Sequence, residues 1–280
     1  MTAQVLPVHV PVPLSRSVVF ADGGSLLVCG GLTNGDHSAG RVWRLTPSNR
    51  SVRAVGTLAV AVHDASGAVV SGQRVVFGGG AAHEVDVVQT CPTTGSGHTV
   101  GRLPAPSSDL VSAASSAQAY LVGGYDGTRA ETAVLATTDG VHFRVLAHLR
   151  VGVRYAAAVL GPDALWVYGG DVDKRATSTV QRVDLRTAVV TLPARMPDAL
   201  SHASVVVVDG VPYLAGGRMR SGAATATIWR VDLRTGALRR AGALPAPVSD
   251  AGAASTGATA YLIGGEAAQR RTTVVELRLA

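Results

Sequence analysis

The side chains of this sequence that could do acid–base or binding chemistry recur in pairs at regular distances along the chain. Ser15-Arg16, His63-Asp64, Ser108-Asp109, Arg154-Tyr155, Ser201-His202 and Ser249-Asp250 follow one another at roughly the same interval. A second set, Tyr125-Asp126, Asp171, Arg218 and Glu266, lies a little downstream of four of these pairs. Together the two sets bring arginine, histidine and carboxylate into one repeated place, which suits a polar or sugar-like ligand. The bland alternative is that short polar side chains bond nearby backbone and satisfy loop N–H groups.

No complete catalytic or metal motif accompanies them. Ser201 and His202 are chain neighbours, which does not make a triad, and there is no Gly-x-Ser-x-Gly elbow. Asp171-Val172-Asp173 lacks the glycine and distal glutamate of a calcium loop. Gly30 to Gly35 follows a strand-like run but opens no helix that would carry a phosphate. Neither cofactor nor metal is expected, and no residue is assigned as catalytic. Cys29 and Cys91, the only cysteines, give no disulfide framework, and the placement of each within its own repeat predicts that they stay unpaired.

The elements that must position these residues are legible as a repeat. Six segments run from a few apolar residues into paired glycines, ending at Gly30-Gly31, Gly78-Gly79, Gly123-Gly124, Gly169-Gly170, Gly216-Gly217 and Gly264-Gly265. Their first glycines are 48, 45, 46, 47 and 48 residues apart. Each is preceded by a run of small or β-branched residues, such as Ala156-Ala157-Ala158 or Val205-Val206-Val207-Val208, and by a link such as Leu244-Pro245-Ala246-Pro247. Beyond the glycines come a polar loop, a third apolar run and a hairpin turn such as Asp232-Leu233-Arg234-Thr235-Gly236. Four short antiparallel strands in 45 to 48 residues make one blade of a β-propeller. The chain is accordingly predicted to be all-β, a six-bladed propeller forming a single domain over residues 1–280. Thr2 to Pro7 supplies the outer strand that the last blade lacks, closing the ring against the strand from Thr273.

In these features the sequence resembles the Kelch family: the aromatic-aliphatic-Gly-Gly strand end, the polar loop after it, the Val-Asp-x-x-Thr turn and the proline-containing link. It departs from the family pattern at Val183 and Val231, where a tyrosine is usual, and in lacking a fourth-strand tryptophan. The resemblance implies that ligands meet the face where the inter-blade links and the post-glycine loops open, at the channel mouth. The candidates on that face are Arg16, His63, Asp64, Asp109, Arg154, His202, Arg218, Asp250 and Glu266. Two functions follow. The first is a non-catalytic binding module for a protein or carbohydrate ligand. The alternative, by likeness to Kelch-type sugar mutarotases, is an enzyme using Asp109, Arg154, His202 and Glu266 as acid–base groups. Kelch-type copper-radical oxidases need a seventh blade and a Cys/Tyr/His copper set that has no counterpart here.

Composition narrows the partners. A net charge of +6 invites nucleic acid, but the basic residues are scattered arginines with Lys174 the only lysine, and aromatic residues are 4%. Stacking platforms for nucleic acid are therefore largely missing, and none is expected to bind. The preference for arginine, alanine, valine and glycine has a bacterial, GC-rich look. No apolar run is long enough to cross a bilayer, so no membrane insertion is expected. The N-terminus has no signal-peptide pattern, which predicts a cytoplasmic protein as the chain stands, or an exported one if it has been trimmed. Composition is silent on oligomeric state.

Overall fold

The computed structural model describes residues 1–279. The architecture is all-β and propeller-like, with only one short 3-10 turn at Pro47–Asn49 among the described residues. Six large antiparallel sheets follow one another along the chain, each built on four strands. In the fourth, for example, Ala157–Leu160, Ala164–Tyr168, Thr179–Asp184 and Val190–Arg195 pair in sequence order. The sixth departs from chain order. Its strands Gly252–Ser255, Thr259–Ile263 and Thr273–Arg278 are completed by Thr2–His9, which pairs antiparallel with Thr273–Arg278 from Thr2↔Arg278 to Val5↔Val275.

The first strand of each sheet lies beside the first strands of two others, in the cyclic order 18–22, 66–70, 111–114, 157–160, 204–208 and 252–255. Small residues such as Ala113, Ala157 and Ala254 suit this crowded position. Second strands are buried over most of their length, and Leu27, Val76, Leu165, Leu214 and Ile263 are inaccessible to solvent. The apolar core is accordingly divided among the boundaries between neighbouring sheets. Trp166 and Tyr168, for instance, pack with Leu214, Val231 and Leu238 across the boundary between the fourth and fifth sheets.

Each glycine pair docks the link that leads to the next sheet. The second glycine donates its N–H to a link carbonyl in all six copies: Gly31 to Val62, Gly79 to Ser107, Gly124 to Val153, Gly170 to Leu200, Gly217 to Val248 and Gly265 to Leu14. The same carbonyls explain the first glycine. A Cβ on Gly169 would collide with the Leu200 carbonyl oxygen, and φ there is +57°, a region that L-residues rarely occupy. Two links are further held by fully buried glutamines. The Gln89 side chain accepts from Val60 N–H at 2.9 Å and donates to its carbonyl at 3.0 Å. Gln181 does the same at Val151, at 3.1 and 2.8 Å. Each amide stands in for a strand neighbour, pairing both backbone groups of Val60 and of Val151.

The structure corrects one expectation. Cys29 and Cys91 form a disulfide, with their Cα atoms 6.3 Å apart. Each cysteine's level within its own sheet does not decide the distance between sheets, because twisted sheets packed face to face cross one another. Both side chains are buried in the boundary between the first and second sheets. The segment after Cys91 also leaves its own sheet. Gly95–Ser96 pairs parallel with Gly56 and Thr57 on the outer edge of the first sheet, and Gly97 N–H donates to Thr57 O at 2.7 Å.

Two stability measurements test this architecture. Deleting residues 1–8 removes most of the Thr2–His9 strand, exposes the edge of Thr273–Arg278 and uncovers the core around Val10, so the melting temperature should fall by more than about 10 °C; an unchanged value would count against this closure. The disulfide spans 62 residues of chain. On loop-entropy grounds it contributes roughly 4 kcal/mol. Urea unfolding of a Cys29→Ala/Cys91→Ala protein should show a loss of that order, and thiol titration of the unreduced, unfolded chain should find no free thiol.

Candidate functional site

The second residue of each repeated pair occupies the left-handed region: Arg16, Asp64, Asp109, Tyr155, His202 and Asp250 have φ between +52° and +58°. None is glycine, so each carries a conformational cost of roughly 1–3 kcal/mol that its surroundings must offset. The offset is visible in the backbone. Asp64 N–H donates to Arg16 O, Asp109 to Asp64, Tyr155 to Asp109, His202 to Tyr155, Asp250 to His202 and Arg16 to Asp250. These six hydrogen bonds, 2.8 to 3.3 Å long, form a closed circle. The first residue of most pairs bridges instead to the residue after a glycine pair, as in Arg154↔Asp171, Ser108↔Tyr125 and Ser249↔Glu266. Links and post-glycine loops are thereby fixed against one another.

The circle gathers the side chains into one network. Arg16 is bonded to Asp64 at 2.9 Å and to Glu266 at 3.2 Å, and lies 3.7 Å from Asp250. Arg218 pairs with Asp250 at 3.2 Å and with Glu266, and its Nε donates to Ser249 Oγ at 3.1 Å. Arg154 pairs with Asp109 and stacks over the Tyr125 ring at 4.0 Å. The Tyr155 hydroxyl joins the halves, accepting from Arg16 and Arg154 at 3.3 Å each and donating to Asp64 at 3.3 Å. His202 lies against the Tyr155 ring, with centroids 3.8 Å apart, between Asp250 at 2.6 Å and Asp171 at 3.4 Å. His63 sits at the edge, 3.7 Å from Asp64 and bonded to Ser38.

All nine candidate residues therefore converge. Tyr155 holds the position equivalent to Arg16 and Asp64, and the candidate Arg154 is one residue earlier. The strict order of the pairs was the signal for this. Arg270 escaped sequence reasoning altogether. It donates to Ser15 Oγ at 3.2 Å and to Thr33 O at 2.9 Å and lies 3.4 Å from Glu266; arginines stand at the same offset in two other repeats, at Arg129 and Arg175, so position alone does not mark it. Asp126 stays apart, its carboxylate capping a turn through Thr128 and Arg129.

Burial divides the network into layers. The carboxylates are deep, with side-chain exposures of 2% for Asp109, 3% for Asp250 and 6% for Asp64. The guanidiniums they hold are more open: 18% for Arg16, 24% for Arg154 and 31% for Arg218. Beneath, a cavity of about 170 Å³ is lined by the circle and by small residues such as Ala65, Ala156, Ala203 and Ala251. Among the described residues, no cluster of three or more His, Cys, Asp or Glu is arranged to hold a metal.

The protonation states follow from this burial. Desolvation works against a charged His202, but the Asp250 charge and the hydrogen bonds to Asp171 and Asp250 outweigh it and raise its pKa to about 9. Asp250, though desolvated, is pulled down to about 2, chiefly by His202 and then by Arg16. Desolvation opposes the charge on Arg16 too, yet Asp64 and Asp250 raise its pKa. Asp109 behaves differently: burial and the neighbouring Asp64 charge push it up to about 7 against the pull of Arg154. Tyr155 is raised by burial and by the Asp64 and Asp109 charges, so it remains a phenol.

The fold recurs widely: 703 solved chains match it. One, described as the structure of YjhT, superposes with a TM-score of 0.81 at 16% identity, covering 98% of this chain and 97% of that one. At that identity the likeness establishes a shared fold and nothing of activity. No family model matches the sequence, and no curated protein matches it.

The His202 environment yields a pH prediction. Its folded pKa of about 9 exceeds the ordinary 6.5. The stabilisation it confers is therefore complete below about pH 6.5 and is lost as pH rises through about 9. Unfolding free energy measured in urea should fall across that window, and His202→Gln should flatten the decline. An unchanged slope in the variant would rule out the charged imidazole.

Proposed function

We propose that the chain is a closed six-bladed propeller of Kelch type, and that its channel-mouth face is a non-catalytic binding surface for an acceptor-rich polar ligand, a carbohydrate or an acidic stretch of protein. The circle of six hydrogen bonds and the Thr2–His9 pairing support the closed ring. The glycine pairs and links support the Kelch reading.

One observation carries the functional part: Arg16, Arg154 and Arg218 present guanidinium groups above the carboxylates that fix them. Most titratable groups at the mouth are already satisfied by one another, so they are poorly placed to exchange protons with a substrate. What an incoming molecule meets is a set of oriented N–H donors. Such donors match carboxylate, sulfate or clustered hydroxyl groups. Because the donors are held before the ligand arrives, little ordering cost falls on binding.

A glycan and acidic-saccharide screen, followed by calorimetry on whichever member binds best, tests this reading. Arg154→Gln and Arg218→Gln should each weaken binding roughly tenfold. If nothing in the screen or in a set of acidic peptides binds, or if both variants bind as the parent does, the reading fails.

Asp109 favours a second reading. A carboxyl group poised at about 7 beside Arg154 and the Tyr155 hydroxyl is suited to general acid–base catalysis, as in sugar anomerisation. Proton-exchange NMR on reducing sugars should then show faster anomer exchange that Asp109→Asn abolishes and Arg154→Ala or His202→Ala weakens. No acceleration by the parent protein would dispose of it.

A further inference from the structure

The repeats place an arginine at the same third-strand position in three sheets, and its surroundings differ in the fifth. Arg44 pairs across the ladder with Leu27, Arg182 with Trp166 and Arg230 with Tyr213, so the three are structurally equivalent. Two are neutralised. Arg44 is bonded to Asp22 at 2.7 Å. Arg182 is bonded to Asp163 at 2.9 Å and to Asp184 at 3.2 Å. In the fifth sheet the registers put Val208 where Asp22 stands in the first and Gly210 where Asp163 stands in the fourth.

The remaining carboxylate, Asp232, corresponds to Asp184 but is engaged by its own turn, accepting from Arg234 N–H at 2.9 Å and Thr235 N–H at 3.3 Å. Among the described residues it makes no ion pair with Arg230. Directly opposite Arg230 on the fourth strand is a second arginine, Arg239, which also has no ion-pair partner among the described residues. Like charges facing each other across a ladder destabilise it unless something lies between them.

A cavity of about 430 Å³ opens at this pair. Its wall carries both arginines, the Asp232 carboxylate and an apolar strip of Val211, Pro212 and Leu233. It is built on the turns at the far ends of the strands from the glycine pairs, so it is separate from the channel mouth. We propose that this cavity is a second binding site, one for a tetrahedral oxyanion on an apolar organic group, as in a phosphate or sulfate monoester. Two guanidiniums on adjacent strands can share the oxygens of one such anion. The apolar strip accommodates the ester group, and the two guanidinium charges favour a doubly charged anion even though the Asp232 carboxylate partly opposes it.

Phenyl phosphate and inorganic phosphate, titrated separately into the intact protein and followed by calorimetry and amide chemical shifts, test this site. Phenyl phosphate should bind saturably at one equivalent, shifting amides around Val211 and Arg239. Arg230→Gln and Arg239→Gln should each weaken it at least fivefold, whereas Arg218→Gln at the mouth should leave it unchanged. Arg239→Gln should at the same time keep or raise the melting temperature, because it relieves the facing charges. Inorganic phosphate binding equally well would support the anion site and assign it to the free ion. No saturable binding of either probe, or binding that survives the double variant, overturns the proposal.

Discussion

Six residues that are not glycine hold a left-handed conformation around one axis, and the circle of hydrogen bonds between them is the constraint on which the rest of this molecule depends. In an open row the first N–H and the last C=O would lack partners; in a circle every donor finds an acceptor. The arrangement sets the distance between consecutive links, and therefore between consecutive sheets. It also explains the glycine pairs, because a link that must reach its neighbour runs too close to the end of the second strand for a side chain to intervene. Directing the six side chains toward one place is a consequence of the same backbone geometry.

What gathers there is electrostatically self-contained. Removing charges from water is costly, and a buried ion pair is seldom better for stability than an apolar pair of the same volume. A core of Ala, Val and Leu at these positions would be simpler. The effect of the charged layer is rigidity: Asp250 holds His202 and Arg218 and lies close to Arg16, while Glu266 holds Arg16 and Arg218. A shared partner fixes the relative positions of groups that would otherwise swing independently on long side chains.

Much of this was legible in the sequence, because it is repeated. Equal spacing of Gly-Gly revealed the sheets, and the surplus apolar segment at the start revealed the partner of the last strand. The pairs from Ser15-Arg16 to Ser249-Asp250 marked the residues that converge. Features that occur once were not legible. The Cys29–Cys91 bond depends on how two twisted sheets cross, which no single repeat encodes. Arg270 reaches Thr33 across a boundary that lies 237 residues apart in the chain. Repetition reports what each unit does for itself; contacts between particular units need the three-dimensional arrangement.

The pairing of Thr2–His9 with Thr273–Arg278 has a consequence in time. The first five sheets can assemble from segments that are near in sequence, in the order the ribosome releases them. The sixth cannot, because its outer strand precedes the other five sheets along the chain and its other three strands follow them. Until the strands from Gly252 to Arg278 emerge, Thr2–His9 has no sheet to join, and the inner strands of the first and fifth sheets have no neighbour between them. The molecule is thus a chain of quickly formed local units whose last step is one slow, long-range event, and its most exposed intermediate is the nearly finished one.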